Sequence, residues 1–246
     1  MDFPVYTHPI PYLTKQQMVE VDRAMVEDYQ IELAQMMENA GRNLAHLARV
    51  RFLGGNPRAK RVAILAGSGG NGGGALVCAR RLYNWGVQVI VLITHQDAEF
   101  TPTPANQLSI LRRMNVKVEP AEAVEQASDN ELVIDGLIGY SLQGTPRGSA
   151  AALIRWANAQ PAPILALDIP SGLDATSGAA NNPTIRATAT MTLALPKEGL
   201  RARGAQAYTG ELYLADISVP PGLYSEPSLG LQVGPIFAEN EIIRLI

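Results

Sequence analysis

A doubly wound α/β fold, a mainly parallel sheet with helices on both faces, is what the sequence predicts, and three observations predict it. Short apolar runs recur between helical stretches from Arg61 onward. These runs lack strict apolar–polar alternation, as strands covered on both faces do. Polar loops, one of them very rich in glycine, follow several of the runs. A helical appendage precedes the first strand, and the 246 residues read as one domain.

The elements follow in order. Thr14 and Gln17 form a capping-box pattern, and Met18, Val21, Met25 and Val26 recur at helical spacing, so a first helix is expected through about Asp28. Leu33, Met36, Met37, Ala40, Leu44, Leu47 and Ala48 signal a second, stopped near "LGGNP" at 53–57. Strand "RVAILA" comes next, then the loop "GSGGNGGG", helix "ALVCARRLYNW" closed by Gly86, and strand "VQVIVLI". A helix near Thr103–Met114, strand "VKVE", a helix near Ala121–Ala127 and strand "ELVID" continue the series. Helix "SAAALIRWANA" and strands "PILALDI", "ATMTLAL" and "ELYLADI" complete it. The tail after Pro220, rich in Pro and Gly, is expected to lie over the sheet as an irregular strap.

Composition narrows the function classes. With 47% hydrophobic residues the chain can bury a full core. Twenty Lys and Arg against 23 Asp and Glu leave a net charge of −3, which favours neither nucleic acid nor an anionic membrane as partner. The single cysteine, Cys78, excludes an internal disulfide and suits a reducing compartment. No run approaches the ~20 apolar residues of a membrane span, and "MDFPVYTHPIPYL" lacks the marks of a signal peptide. A soluble, cytoplasmic protein is the expectation.

Ligands of open parallel sheets bind outside the carboxyl ends of the strands, which directs attention to three loops. They are "GSGGNGGG" from Gly67, "DGLIGYSLQGTPRG" from Asp135 and "DIPSGLD" from Asp168. The first places six glycines in eight positions and matches G-x-G-x-x-G at Gly67, Gly69 and Gly72. Such density marks either a tight turn or backbone N–H groups gathered around a phosphate at a helix start. No Lys-Ser or Lys-Thr follows, which excludes a Walker loop. The next strand ends in Thr94 and His95 without the ribose-binding acid of a dinucleotide fingerprint, which disfavours an NAD-dependent dehydrogenase. Asp135 and Asp168 each end an apolar run, where a carboxylate either caps the turn or points into the crevice. With Asn71 and Ser171 they could form an oxygen-only pocket for a hard cation. Lys197 either meets a phosphate or is a solvated lysine, Arg147, Arg201 and Arg203 are surface charges that could also meet a phosphate, and His8, His46 and His95 lack metal-ligand spacing.

Six segments together carry a resemblance: "LTKQQMVEVDRAM", "MMENAGRNLA", the glycine loop running into "LVCARRL", "VIDGLIGYSLQG", "LALDIPSGLDATSG" and "TLALPKEGL". In their order and spacing the chain resembles the NAD(P)H-hydrate epimerase family, the YjeF N-terminal domain. The resemblance implies a Rossmann-like, usually dimeric protein that interconverts the R and S forms of hydrated NADH or NADPH with the help of K+. It implies K+ ligands at Asn71, Asp135 and Ser171. It implies substrate contacts at Gly70, Asn71, Gly72, Gly73 and Gly74, at Gly139, Tyr140, Ser141, Leu142, Gln143, Gly144 and Thr145, and at Asp168. Lys197 is a further candidate contact, to a phosphate or the substrate amide. Relatives fused to a dehydratase are far longer, so this chain would supply only the epimerase half, and a separate NAD(P)H-hydrate dehydratase in the same pathway is a candidate partner. The family run N-N-G-G-D-G is altered here, with Gly70 for the first Asn, Gly74 for the Asp and Ala75 for the last Gly. That departure keeps a second reading open, a nucleotide-binding or protein-interaction module without turnover.

The implied substrate is a carbinolamine whose ring nitrogen can expel the neighbouring hydroxyl. An acid near that oxygen would speed departure, and the resulting carboxylate could direct water to the opposite face. Asp168 is the candidate for both tasks, provided that burial outweighs any nearby cation in setting its protonation.

Overall fold

The computed structural model describes residues 3–246. Helices α1 (Lys15–Glu27) and α2 (Leu33–Leu47) precede β1 (Arg61–Ala66), α3 (Gly70–Asn84), β2 (Gln88–Ile93), α4 (Pro102–Arg113) and β3 (Lys117–Pro120). The chain continues through β4 (Leu132–Gly136), α5 (Gly148–Ala159), β5 (Ile164–Leu167), β6 (Ala189–Leu193), α6 (Gln206–Thr209), β7 (Glu211–Ala215), α7 (Pro221–Tyr224) and β8 (Ile242–Leu245).

The eight strands form one sheet in the order β3-β2-β1-β4-β5-β6-β7-β8. All neighbours are parallel except β7 and β8, which are antiparallel. Because β2 and β3 lie on one side of β1 and β4 to β8 on the other, the connections diverge at the β1–β4 boundary. A crevice forms at such a switch point.

Strand β1 shows why the sheet is covered twice. Val62, Ile64 and Ala66 pack into one core with residues of α2, α3 and α4, whereas Ala63 and Leu65 join a second core with Leu153, Ile154 and Ala157 of α5. Alternate side chains of one strand therefore both lose water, which is why its sequence reads as a continuous apolar run.

The capping box forms as expected: Thr14 accepts from the Gln17 N–H at 3.1 Å, while the Gln17 side chain accepts from the Thr14 N–H at 2.9 Å. Four expectations need correction. Helix α3 begins at Gly70 rather than Ala75, so most of the glycine loop is the helix's own first turns. The stretch 121–126 forms 3-10 turns with a kink at Ala123 instead of an α-helix. The strand expected through Ile169 stops at Leu167, because Asp168 turns to φ 66°. The tail is not wholly irregular, since it contains α7 and ends as edge strand β8.

Candidate functional site

The density of glycine after β1 has a packing cause at two positions. A Cβ on Gly72 would lie 1.8 Å from the Gly67 carbonyl oxygen, and one on Gly67 would lie 2.0 Å from that of Leu137. Only bare backbone lets the start of α3 sit this close to the turn after β1 and to the segment after β4. None of the glycines from Gly67 to Gly74 adopts a positive φ. Gly72, Gly73 and Gly74 are buried, whereas Gly69 and Gly70 are exposed.

Asp168 leaves the sheet one residue after β5. Its N–H still donates to the Met191 carbonyl at 2.7 Å, and its left-handed φ of 66° turns the side chain out of the ladder. Such a conformation in a non-glycine residue costs about 1–3 kcal/mol and persists where the surroundings impose it. Lys197 Nζ donates to Asp168 Oδ1 and, at 2.9 Å, to the Leu193 carbonyl. The Tyr140 N–H donates to Asp168 Oδ2 at 3.3 Å, and Thr192 Oγ1 donates to Oδ1 at 3.4 Å. Asp168 is 4% exposed and Lys197 0%. Lys197 is therefore neither a solvated lysine nor an outward-reaching arm. Its backbone is pinned by Leu13, whose N–H donates to the Pro196 carbonyl at 2.8 Å and whose carbonyl accepts from Glu198 at 2.9 Å.

Asp135, at the end of β4, is wholly buried. Its Oδ1 accepts from Ser171 Oγ at 2.6 Å and from the Leu137 N–H at 3.2 Å, while Oδ2 accepts from the Ser171 N–H at 2.8 Å. Burial pushes the carboxyl up to about 6, and the three hydrogen bonds oppose that shift. Among the described residues no cationic side chain compensates it.

A cavity of about 300 Å³ lies over these strand ends. Gly70, Asn71 and Gly74 border it on one side, Gly139, Tyr140 and Ser141 on another, and Asp168 and Lys197 form part of its floor. A Cβ on Gly139 would lie 3.3 Å from both Asn71 Oδ1 and Asp168 Oδ2, so glycine there lets the amide and the carboxylate converge. Asn71 Nδ2 is buried and has no acceptor among the described residues.

The sequence reading thus brings eight of its residues to one cavity. The others lie elsewhere: Gly72 and Gly73 are packed inside, Gln143, Gly144 and Thr145 are exposed beyond the lining, and Leu142 is buried with its carbonyl accepting from Lys15 Nζ at 3.1 Å. Asp135 and Ser171 sit beneath the cavity rather than on its wall.

Sequence reasoning missed Asp22 and the sulfur-rich wall of Met18, Met36 and Met37. Asp22 projects from α1 and accepts a hydrogen bond from Tyr140 Oη. Burial raises its carboxyl above the usual range, while the Tyr140 bond and Lys197 oppose the shift. Burial and Asp22 together raise the Tyr140 phenol, which keeps its proton. The available signal was an acid four residues after Met18 on an apolar helix stripe. A separate cavity of about 450 Å³, lined by Asp216, Tyr224 and Phe237 among others, holds none of the residues expected to act.

Fold and site together define a Rossmann-like α/β protein with a ligand cavity at its switch point, bounded by a helix N-terminus and a buried Asp–Lys pair. The sequence profile described as YjeF-related protein N-terminus matches residues 33–199. The chain belongs to that family. A protein of Dehalogenimonas lykanthroporepellens named NAD(P)H-hydrate epimerase is 43% identical over 93% of this chain and 90% of its own length. One of the same name from Rhodopirellula baltica is 36% identical over 86% of each. A Salinibacter ruber protein named bifunctional NAD(P)H-hydrate repair enzyme is 33% identical over 86% of this chain, which spans only 41% of that larger protein. A yeast protein of known crystal structure superposes with a TM-score of 0.79 over 96% of this chain and 100% of its own, at 24% identity, which shows the shared fold.

Proposed function

We propose that the protein is an NAD(P)H-hydrate epimerase, an isomerase that interconverts the R and S forms of hydrated NADH and NADPH in the repair of damaged nicotinamide nucleotides. The names of its relatives support this reading. The observation that carries it is the enclosed Asp168–Lys197 pair in a cavity bordered by the first residues of α3. A helix start of that kind presents free N–H groups and the positive end of a dipole to the substrate's phosphates.

The hydrated ring would lie over Asp168, with Asn71 Nδ2 donating to one of its oxygens. Gly70, Gly74, Gly139, Tyr140 and Ser141 would shape the ring's surroundings, and the exposed run Gln143, Gly144 and Thr145 would meet the outer part of the dinucleotide. Gly72 and Gly73 serve by bringing the helix start close, and Leu142 by anchoring that run through Lys15. Lys197 donates to Asp168 and matches its charge, which fixes the carboxylate's orientation at the floor of the cavity.

Asn71, Asp135 and Ser171 are the residues that would hold K+. They fit it in two respects: every available donor is an oxygen, and Asp135 is a buried carboxylate lacking any cationic neighbour. When bound, the ion would supply positive charge that fixes the loops after β4 and β5. Cytoplasmic location, a homodimer and a separate dehydratase acting on the same hydrates complete the proposal. The free, buried Cys78 is compatible with a reducing compartment, and among the described residues no helix is long and apolar enough to cross a membrane.

The test is to follow the R to S ratio of purified hydrated NADH by chromatography, with and without protein. Faster relaxation than the spontaneous reaction is expected. A ratio that relaxes no faster overturns the enzyme and leaves a binding module, the reading that Gly70 and Gly74 favour.

A further inference from the structure

We infer that Asp22, held by Tyr140, is a second acid–base residue of the epimerisation, set in the same cavity as Asp168. The inference rests on the epimerase reading and assigns a chemical role to a side chain outside all three strand-end loops.

Inversion of a carbinolamine needs a proton donor on the face where oxygen leaves and a proton acceptor on the face where oxygen returns. Asp168 alone would have to serve both faces with Oδ1 accepting from the Lys197 ammonium and Oδ2 from the Tyr140 N–H, and a second carboxyl divides the two tasks. The cavity contains one other carboxyl. Asp22 comes from α1, whereas Asp168, Tyr140 and Lys197 come from segments following β5, β4 and β6, and all four line the same space. Tyr140 joins the two acids: its N–H donates to Asp168 Oδ2 and its hydroxyl to Asp22 Oδ2. Only one Asp22 oxygen is used by that bond, which leaves the other free for substrate.

The two carboxyl groups differ in environment as an acid and a base should. Asp168 has the Lys197 ammonium. Asp22 is desolvated, which favours its protonated form. The charged or titratable groups facing Asp22 are Tyr140, Lys197, Asp168 and, from α7, Tyr224.

The ring nitrogen's lone pair forms a C=N bond as the C–O bond breaks; its electron pair leaves with oxygen, which takes the Asp22 proton and departs as water. Solvent water then adds to the other face, its oxygen bonding to carbon, its proton passing to Asp168, and the C=N electron pair returning to nitrogen. Exchange with solvent moves the proton from Asp168 back to Asp22. Starting from the other epimer, the two residues exchange roles.

The experiment compares wild type, Asp22→Asn and Tyr140→Phe in the hydrated-NADH assay across pH, with folding checked by circular dichroism. Wild-type turnover should fall on an alkaline limb. Asp22→Asn should lower kcat by about 10²-fold or more with KM little changed, and should lose that limb. Tyr140→Phe removes a bond that favours the Asp22 carboxylate, so its limb should move to higher pH. Asp22→Asn retaining kcat within twofold with the same pH profile overturns the inference, as does a Tyr140→Phe limb that stays put should Asp22→Asn fail to fold. A wild type no faster than the spontaneous reaction instead overturns the epimerase reading itself.

Discussion

Replacing Lys197 by methionine keeps much of the side chain's bulk and removes its charge, which isolates what the buried ion pair does for the fold. Lys197 is the largest fully buried side chain among the described residues, and its ammonium donates to Asp168 Oδ1 and to the Leu193 carbonyl at 2.9 Å. The variant leaves Asp168, 4% exposed, with only the Tyr140 N–H at 3.3 Å and the Thr192 hydroxyl at 3.4 Å as donors. Both bonds are long. Breaking a buried pair from one side typically costs about 3–5 kcal/mol, a large share of the ~5–15 kcal/mol available to a folded domain. For a chain of this length that corresponds to a fall in Tm of roughly 6–20 °C. Urea denaturation followed by circular dichroism measures the loss directly. The double variant Lys197→Met with Asp168→Asn should recover at least about 1 kcal/mol, because the stranded charge is gone. A single-variant loss below about 1 kcal/mol, or a double variant no more stable than the single, refutes the idea that the pair is what permits two charges to sit in this interior.

Gly72→Ala places a Cβ 1.8 Å from the Gly67 carbonyl oxygen and should cost more than about 3 kcal/mol, whereas Gly70→Ala, whose Cβ finds nothing nearer than Met37 Cε at 3.9 Å, should be neutral or stabilising by up to about 1 kcal/mol; thermal melts distinguish them. Asp22 has its carboxyl raised by burial, so the folded state binds its proton more tightly than the unfolded chain, and its contribution fades as pH rises through the raised value. Asp22→Asn should therefore gain on wild type as pH rises above the ordinary aspartate value of about 4 in urea titrations, and a wild type that gains on the variant there contradicts the sign. Potassium chloride should raise Tm above choline chloride at equal ionic strength in wild type but not in Asp135→Asn, as linkage to a bound ion requires. Equal response of both proteins rules out Asp135 as a ligand.

Most of the fold was legible because its signals are local. The Thr14–Gln17 box, the apolar runs from β1 to β7 and the glycine closing α3 at Gly86 each act within a few residues. The failures trace to non-local causes. Helix α3 starts on glycines that intrinsic propensity disfavours, and close packing against Gly67 makes the start there. Strand β8 exists because β7 offers an edge: Tyr213 pairs with Arg244 and Leu214 with Ile243, which the Pro and Gly content of the preceding tail obscured. Residues 121–126 follow a proline and kink at Ala123, so a short apolar pattern that suits a helix settles into tighter turns.

The site divided along the same line. Asn71 and Asp168 line the cavity because they follow strand ends, where topology alone brings side chains to a crevice, while Asp135 and Ser171, chosen on the same ground, sit beneath it. Lys197 was ambiguous, since its partner lies 29 residues earlier and only β5 and β6 pairing side by side brings them together. Asp22 was invisible as a site residue because α1 reaches the cavity by packing against the sheet's far half, beside Leu195, Ile217 and Tyr224. These placements also bear on the glycine that stands where the family has an acid. A Cβ at Gly74 would lie 2.9 Å from Leu167 Cδ2, and the cavity already contains Asp168, neutralised by Lys197, and Asp22, whose charge burial disfavours. A third carboxylate beside the α3 start would repel the phosphates that this end of the helix is proposed to hold. Its absence leaves the start of α3 with no acid of its own, while Asp22, from a helix that precedes the sheet, is the proposed proton donor of the same cavity.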